Sequence, residues 1–269
     1  MDFFAEIAQY RFLSHAAAAC LLCGVACGIV GTYVVCRRLV FLSGGITHSS
    51  FGGIGMAYYF GADPMLGALL FAVVSALGIE AFSVGRRIRE DSAIGLIWSL
   101  GMAVGIIFIY LTPGYAPNLM SFLFGNILTI SSSDIWAFAI FTVVLIIFMA
   151  AFFKKIVICA FDPDFAAVKQ LPVMFISTAM TVLVAVCIVL TIRLVGVMLL
   201  MSMLALPQMT AETFCHRFKT IMFLSIAISL LCSLAGLFLA TVIEVPCSAL
   251  IVLTMTAAYI IARLIALIK

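Results

Sequence analysis

Residues 41–56 read FLSGGITHSSFGGIGM and combine glycines, hydroxyls and one imidazole inside an otherwise apolar part of the chain. The chemistry that they offer is that of a polar lining, made of backbone carbonyls, hydroxyl groups and His48. A histidine at membrane depth is costly and therefore indicates a functional site. We expect His48, with Thr47 and Ser49 beside it, to line a translocation path. A second interpretation stays open, in which His48 caps a carbonyl in a packing helix.

Glycines at this density have two physical uses in a membrane helix. They let the helix bend or approach a neighbour closely. They also expose backbone carbonyls, which only a protein-lined or watery cavity tolerates. Two further residues, one glycine and one proline, interrupt apolar segments later in the chain. We predict that the following residues pack helices or line the path: Gly44, Gly45, Gly52, Gly53, Gly125 and Pro207.

The elements that must position these residues are membrane-spanning helices. The chain has 269 residues, of which 66% are hydrophobic and 9% charged, and its mean hydropathy is +1.35. Such a composition is typical of a polytopic, all-α protein in a lipid bilayer. No stretch is polar enough for a separate soluble domain, so we predict a single transmembrane domain over 1–269. A net charge of +3 is too weak to indicate a nucleic-acid partner.

The hydrophobic pattern predicts nine membrane spans and one shorter segment. Residues 115–130 are apolar but interrupted by Pro117, Asn118, Gly125 and Asn126, which favours a re-entrant or interfacial segment. The predicted spans cover approximately residues 12–35, 39–60, 65–84, 92–111, 134–153, 173–192, 194–211, 220–240 and 246–265.

The basic residues predict the orientation of these spans. Basic residues concentrate on the cytoplasmic side of a membrane. With nine spans and the N-terminus outside, only Arg11 and Arg193 lie outside and the C-terminus is cytoplasmic. The inner side then holds Arg37, Arg38, Arg86, Arg87, Arg89, Lys154, Lys155, Lys169, Arg217, Lys219, Arg263 and Lys269.

The loop FDPDFAAVKQLP, after the fifth predicted span, indicates a short cytoplasmic helix. Asp162 is a good N-cap, Pro163 suits the first helical position and Asp164 favours the positive helix end. Apolar residues then recur at every third position and form one apolar face of the helix. Such a helix favours docking of a cytoplasmic protein, while an interfacial helix resting on lipid headgroups is the alternative. The docking residues are predicted to be Asp162, Pro163, Asp164, Phe165, Ala166 and Val168.

Several activities lack their sequence signals. No phosphate-binding loop of the G-x-x-x-x-G-K-[ST] type occurs, so we expect no ATP on this chain. No serine, histidine and acid grouping indicates a hydrolase, and no row of buried carboxylates favours a proton-coupled carrier. We therefore predict a non-catalytic protein that binds no cofactor of its own.

Five blocks in order resemble the metal-uptake permeases of bacterial ABC importers, which carry zinc, manganese or iron, and the zinc-uptake permease most of all. Four of them match membrane segments of that family, and the fifth resembles its loop that docks onto the ATPase. The blocks are FLSGGITHSSFGGIG (41–55), EDSAIGLIWSLGMAVGI (90–106), FLFGNILTIS (122–131), LVGVMLLMSMLALPQMTA (194–211) and FDPDFAAVKQLPV (161–173).

This resemblance implies an assembly and a place in the cell. It implies a homodimer in the bacterial inner membrane with eight or nine spans per chain. Two ATP-binding cassette subunits would sit on the cytoplasmic side and an extracytoplasmic metal-binding protein would deliver the ion. A divalent metal would be the substrate, with a pathway at the dimer axis, and ATP would bind the partner subunit.

Two positions depart from the family pattern. The family's aspartate four residues before the histidine is Gly44 here, which removes a hard carboxylate ligand and weakens the case for manganese. Imidazole ligation favours zinc, with ferrous iron next. Gln170 replaces a glycine common in the docking loop, so we expect its helix to run slightly longer. A permease for a metal chelate such as a siderophore or haem, and a stand-alone secondary transporter, are the alternative functions.

Overall fold

The computed structural model describes residues 9–83, 89–113 and 130–268. These residues form helices and no strand, which confirms the all-α prediction. The predicted segment 115–130, with Gly125, lies outside the described residues except for Ile130, as do Arg86 and Arg87. The described helices are α1 (Arg11–Cys36), α2 (Val40–Phe60), α3 (Pro64–Ser83), α4 (Glu90–Leu111), α5 (Ser132–Phe161), α6 (Pro163–Val168), α7 (Val173–Glu212), α8 (Phe218–Ile243) and α9 (Cys247–Ile268).

Most predicted spans correspond to one helix each, and the sixth and seventh predicted spans together form the single long helix α7. Seven of the described helices are long and apolar enough to cross a membrane, which makes this a multi-pass membrane protein. The 21-residue α2 falls outside that group because it carries the glycine and hydroxyl residues. The 40-residue α7 has non-helical dihedral angles at Gly196 (φ 83°, ψ 169°). Since about 20 residues cross a bilayer, α7 has the length of two spans broken at this glycine.

Helix α5 ends eight residues later than the sequence pattern indicated. The predicted span stops at residue 153, whereas the helix continues through Lys154 and Lys155 to Phe161. Lysine is a good helix former, and no glycine or proline follows until Pro163. The basic pair therefore marks the expected membrane boundary without ending the helix.

The described residues divide into two compact units. Unit A contains residues 9–36, 130–151 and 191–268, and unit B contains residues 37–83, 89–113 and 152–190. Helices α5 and α7 each contribute residues to both units. In unit A, α8 packs against α1 and α9, and in unit B, α2 packs against α3 and α4. The single domain over 1–269 stays a prediction.

Pro207 lies inside α7 without breaking it. A proline has no N–H, so the carbonyl four residues earlier, that of Met203, loses its helical hydrogen bond. The neighbouring Gln208 compensates, because its Nε2 donates to the Met203 carbonyl at 3.3 Å and to the Cys27 carbonyl of α1 at 2.9 Å. One amide side chain thus repairs the helix and ties α7 to α1 inside unit A.

Candidate translocation site and docking helix

The glycines of α2 bring α3 and α4 into backbone contact with it. A β-carbon on Gly53 would run into the carbonyl of Gly67 in α3. A β-carbon on Gly52 would lie 2.9 Å from the Gly101 carbonyl oxygen of α4. Real β-carbons are essentially never closer than about 3 Å to such atoms, so a larger residue at either position would force neighbouring atoms to shift.

The approach of α4 continues along the length of α2. A β-carbon on Gly101 would lie 2.5 Å from the Cα of Ser49, and one on Gly45 would lie 2.5 Å from Cγ2 of Ile94. Later residues of α2 meet later residues of α4, so the two helices run parallel. Of the predicted glycines, Gly45, Gly52 and Gly53 lie in these helix contacts, and Gly44 is buried in α2.

The hydroxyl groups of α2 bond to their own helix. Thr47 Oγ1 donates to the Ser43 carbonyl at 2.6 Å, and Ser49 Oγ donates to the Ile46 carbonyl at 3.1 Å. Ser50 Oγ donates in the same way to the Thr47 carbonyl. Thr47 and Ser49 are fully buried within the chain. The structure therefore does not place them on one surface with His48, and their part in a path stays a prediction.

His48 occupies the side of α2 that α3 and α4 leave uncovered. It is half-buried, and it shares this side with the exposed Phe41 and Tyr59. These neighbours are about two and three helical turns away, which places them on the same face. Among the described residues, neither imidazole nitrogen has a hydrogen-bond partner. The carbonyl-capping interpretation thus has no hydrogen bond to support it.

The imidazole of His48 is held by its ring face instead. It stacks on the indole of Trp98 in α4, with 4.5 Å between ring centroids and 6° between ring planes. Phe51 lies 6.3 Å away on α2 at 23°. Sequence reasoning missed Trp98, because a tryptophan in an apolar span carries no signal of its own. Its place opposite His48 depends on the glycine contacts between α2 and α4, which only the structure shows.

A metal ion would need donors beyond this histidine. Within residues 9–83, 89–113 and 130–268, no three His, Cys, Asp or Glu side chains lie close enough together to hold a metal ion. A single imidazole cannot supply the four to six ligands that divalent metals take. One copy of the chain therefore offers one ligand at this position.

A polar cavity of about 220 Å³ lies elsewhere in unit B. Arg37, Glu80 and Glu90 line it together with hydroxyl groups of α7. These charged residues are far apart in sequence and belong to different elements. The sequence pattern therefore gave no signal for this cavity.

The short helix α6 begins as the sequence predicted. Asp162 is its N-cap and accepts a hydrogen bond from the Phe165 N–H at 2.8 Å, and Pro163 occupies the first turn beside Asp164. Ala166 is buried, whereas Phe165 is 47% exposed and Val168 81% exposed. An apolar face of α6 therefore stays open in this chain.

The end of α6 corrects one expectation. The helix stops at Val168 and does not run longer, because Gln170 adopts a left-handed conformation with φ 55°. The Leu171 N–H donates to the Ala166 carbonyl at 3.0 Å and the Gln170 N–H to the Ala167 carbonyl at 2.9 Å. These two bonds form a Schellman motif, in which glycine is the favoured residue at the position of Gln170.

Comparisons with known proteins agree with this architecture. Residues 9–266 match the model of the ABC 3 transport family. A probable metal transport system membrane protein of Chlamydia pneumoniae is 36% identical over 90% of this chain and 84% of its own length. The manganese transport system membrane protein MntC of Halalkalibacterium halodurans is 30% identical over 93% of this chain and 86% of its own length.

A solved structure is similar over nearly the whole fold. PsaBC from Streptococcus pneumoniae, in complex with Fab, matches with a TM-score of 0.84 and 28% identity. The match covers 97% of this chain and 94% of that chain. The match to the family model spans almost every described residue, and the similarity to the solved structure covers the chain to the same extent. This chain belongs to the ABC 3 transport family.

Proposed function

We propose that this chain is the membrane-spanning subunit of an ABC importer for a divalent metal ion. The observation that carries the proposal is His48, whose imidazole nitrogens have no partner among the described residues and which lies on the side of α2 that α3 and α4 leave uncovered. Relatives named for metal or manganese transport support this substrate class.

The incomplete ligand set supports a homodimer. Two copies of His48 facing each other across a two-fold axis would provide two nitrogen ligands for one ion. Water molecules would complete the coordination, which keeps binding weak enough for the ion to leave. The uncovered face of α2, with Phe41 and Tyr59, is the surface that the second copy would contact.

The donor chemistry favours zinc among the candidate ions. Imidazole nitrogen is a good ligand for zinc, whereas manganese prefers carboxylate oxygen. Gly44 offers no carboxylate on this helix. Manganese and ferrous iron are the competing outcomes in an uptake measurement.

The open face of α6 supports docking of a separate ATPase on the cytoplasmic side. Phe165 and Val168 present apolar area that would be buried in a groove of that subunit. ATP would bind only there. The chain would lie in the bacterial inner membrane with its N-terminus outside, and an extracytoplasmic metal-binding protein would deliver the ion.

The first prediction tests this coupling with Phe165→Asp. A carboxylate on the docking face would have to be desolvated in the groove, so metal-stimulated ATPase activity should fall at least tenfold while membrane insertion is retained. ATP hydrolysis and zinc, manganese and ferrous iron uptake are measured on the complex in proteoliposomes. Ala167→Asp is the control, because it adds the same charge at an exposed position beside that face.

Three outcomes separate the hypotheses. Unchanged metal-stimulated hydrolysis in Phe165→Asp would refute the docking assignment. Ion uptake without any ATPase would favour a stand-alone carrier. An assembled complex that moves none of the three ions would favour a permease for a metal chelate.

A further inference from the structure

The ring stack between Trp98 and His48 has a geometry that suits a metal ligand. A histidine that binds an ion must be oriented, yet the partner that orients it usually occupies one ring nitrogen. Here the indole of Trp98 covers the face of the imidazole at 4.5 Å and 6°. Both nitrogens lie in the ring plane, at the edge, and neither is bonded within the described residues.

The surrounding backbone determines where Trp98 lies. Trp98 stands between Ile94 and Gly101, which contact Gly45 and Ser49 of α2. Because the contact at Gly101 is between backbones, α4 has little freedom to move relative to α2. The glycine packing therefore fixes the backbone from which the indole projects, and the indole N–H has no hydrogen-bond partner among the described residues.

We propose that Trp98 is a positioning residue for the transported ion: it fixes the imidazole plane of His48 while leaving both ring nitrogens available. This inference rests on the proposed function, because it needs His48 as the ligand. Holding the ring by its face reduces the rotamer freedom that binding would otherwise remove. It also leaves each nitrogen able to bind the ion or to bind water once the ion has left.

A purely space-filling role makes a different prediction. If Trp98 only filled volume, leucine and phenylalanine would be similar replacements and both would affect assembly. If it orients the ring, phenylalanine keeps an aromatic face and leucine does not. The chain also provides a matched control, since its other tryptophan, Trp136 in α5, is 70% exposed.

The test measures zinc uptake by the complete complex in proteoliposomes for Trp98→Leu, Trp98→Phe, His48→Ala and Trp136→Leu. Trp98→Leu should raise the KM for zinc about three- to tenfold at nearly unchanged maximal rate, the range expected for losing one aromatic pair. Trp98→Phe should stay within about twofold of the parent. Trp136→Leu should match the parent, and His48→Ala should lose most uptake.

A second readout does not depend on transport. In a Trp136→Phe background, Trp98 is the remaining tryptophan, so its fluorescence reports on the stacked imidazole. Zinc should change that emission, and His48→Ala should abolish the change. An emission unaffected by zinc in the transport-competent parent would overturn the inference.

The outcomes distinguish this inference from the function on which it rests. Normal uptake by His48→Ala at every zinc concentration would overturn the assignment of His48 and with it the role of Trp98. Impaired uptake by His48→Ala with a parental KM in Trp98→Leu would overturn the role of Trp98 alone. Equal losses of assembled complex in both Trp98 variants would make Trp98 a packing residue.

Discussion

Glycines join helices in both units of this protein, but the atoms that they meet differ from one position to the next. In unit B, the glycines of α2 face the backbones of α3 and α4, as at Gly53 and Gly67. In unit A, a β-carbon on Gly24 of α1 would lie 2.8 Å from Cδ2 of Leu230, the end of a side chain in α8. Leucine can change rotamer to relieve that contact, whereas a carbonyl in a helix cannot move alone.

The difference shows that a glycine motif alone does not give the strength of a helix contact. The spacing Gly24-x-x-x-Gly28 in α1 resembles the spacing Gly101-x-x-x-Gly105 in α4. A β-carbon on Gly105 would meet only backbone atoms, those of Phe51 and Gly52. One on Gly28 would instead meet the side chain of Ile226 first, at 2.5 Å, and its backbone at 3.0 Å. We therefore expect Gly53 to tolerate a larger residue less well than Gly24.

Gly53→Ala should produce the largest effect. The added methyl group would collide with the Gly67 carbonyl, and separating α2 from α3 would lower the free energy of unfolding by about 3 kcal/mol. Thermal unfolding of the purified chain in detergent measures this loss. A melting temperature equal to that of the parent would show that the two helices can separate freely, and the contrast between Gly53 and Gly24 would fail.

Gly24→Ala should have a smaller effect. The methyl group meets the end of Leu230, so a rotamer change offsets most of the clash and we expect about 1 kcal/mol of destabilisation. The same thermal unfolding assay applies. A loss as large as that of Gly53→Ala would mean that Leu230 is fixed in its rotamer.

Gly95→Ala should have the smallest effect on stability, and it should stabilise the chain rather than destabilise it. Gly95 lies in α4 with no atom within 4 Å of an added β-carbon. Alanine is the better helix former, by up to about 1 kcal/mol, so the melting temperature should stay the same or rise. Loss of dimer in a cross-linking or light-scattering assay would instead indicate that a second copy covers Gly95.

The sequence predicted the helices well because each carries its own signal. Hydrophobic length located the predicted spans other than α2, and Asp162 with Pro163 marked the start of α6. No sequence signal marked the end of α5, because the lysines that mark a membrane boundary do not end a helix. The longer helix expected at Gln170 was also wrong, because the two hydrogen bonds of the Schellman motif hold its left-handed conformation.

The candidate site was only partly accessible to sequence reasoning. His48 stands out by residue type, and its place on the translocation path stays a prediction. Thr47 and Ser49 are polar residues as well, yet their hydroxyl groups donate hydrogen bonds to backbone carbonyls of their own helix. Trp98 could not be found, since its role depends on which residue α4 places opposite His48, and that depends on glycine contacts between helices.

The length of α5 has a mechanical consequence. A 30-residue helix is about 45 Å long, roughly 15 Å more than the hydrocarbon core of a bilayer. One residue, Asp162, joins it to α6, and this residue is hydrogen-bonded on both sides, to the Ile158 carbonyl and the Phe165 N–H. A displacement of α6 by a docked partner would therefore reach the end of α5 directly, without a flexible loop to absorb it.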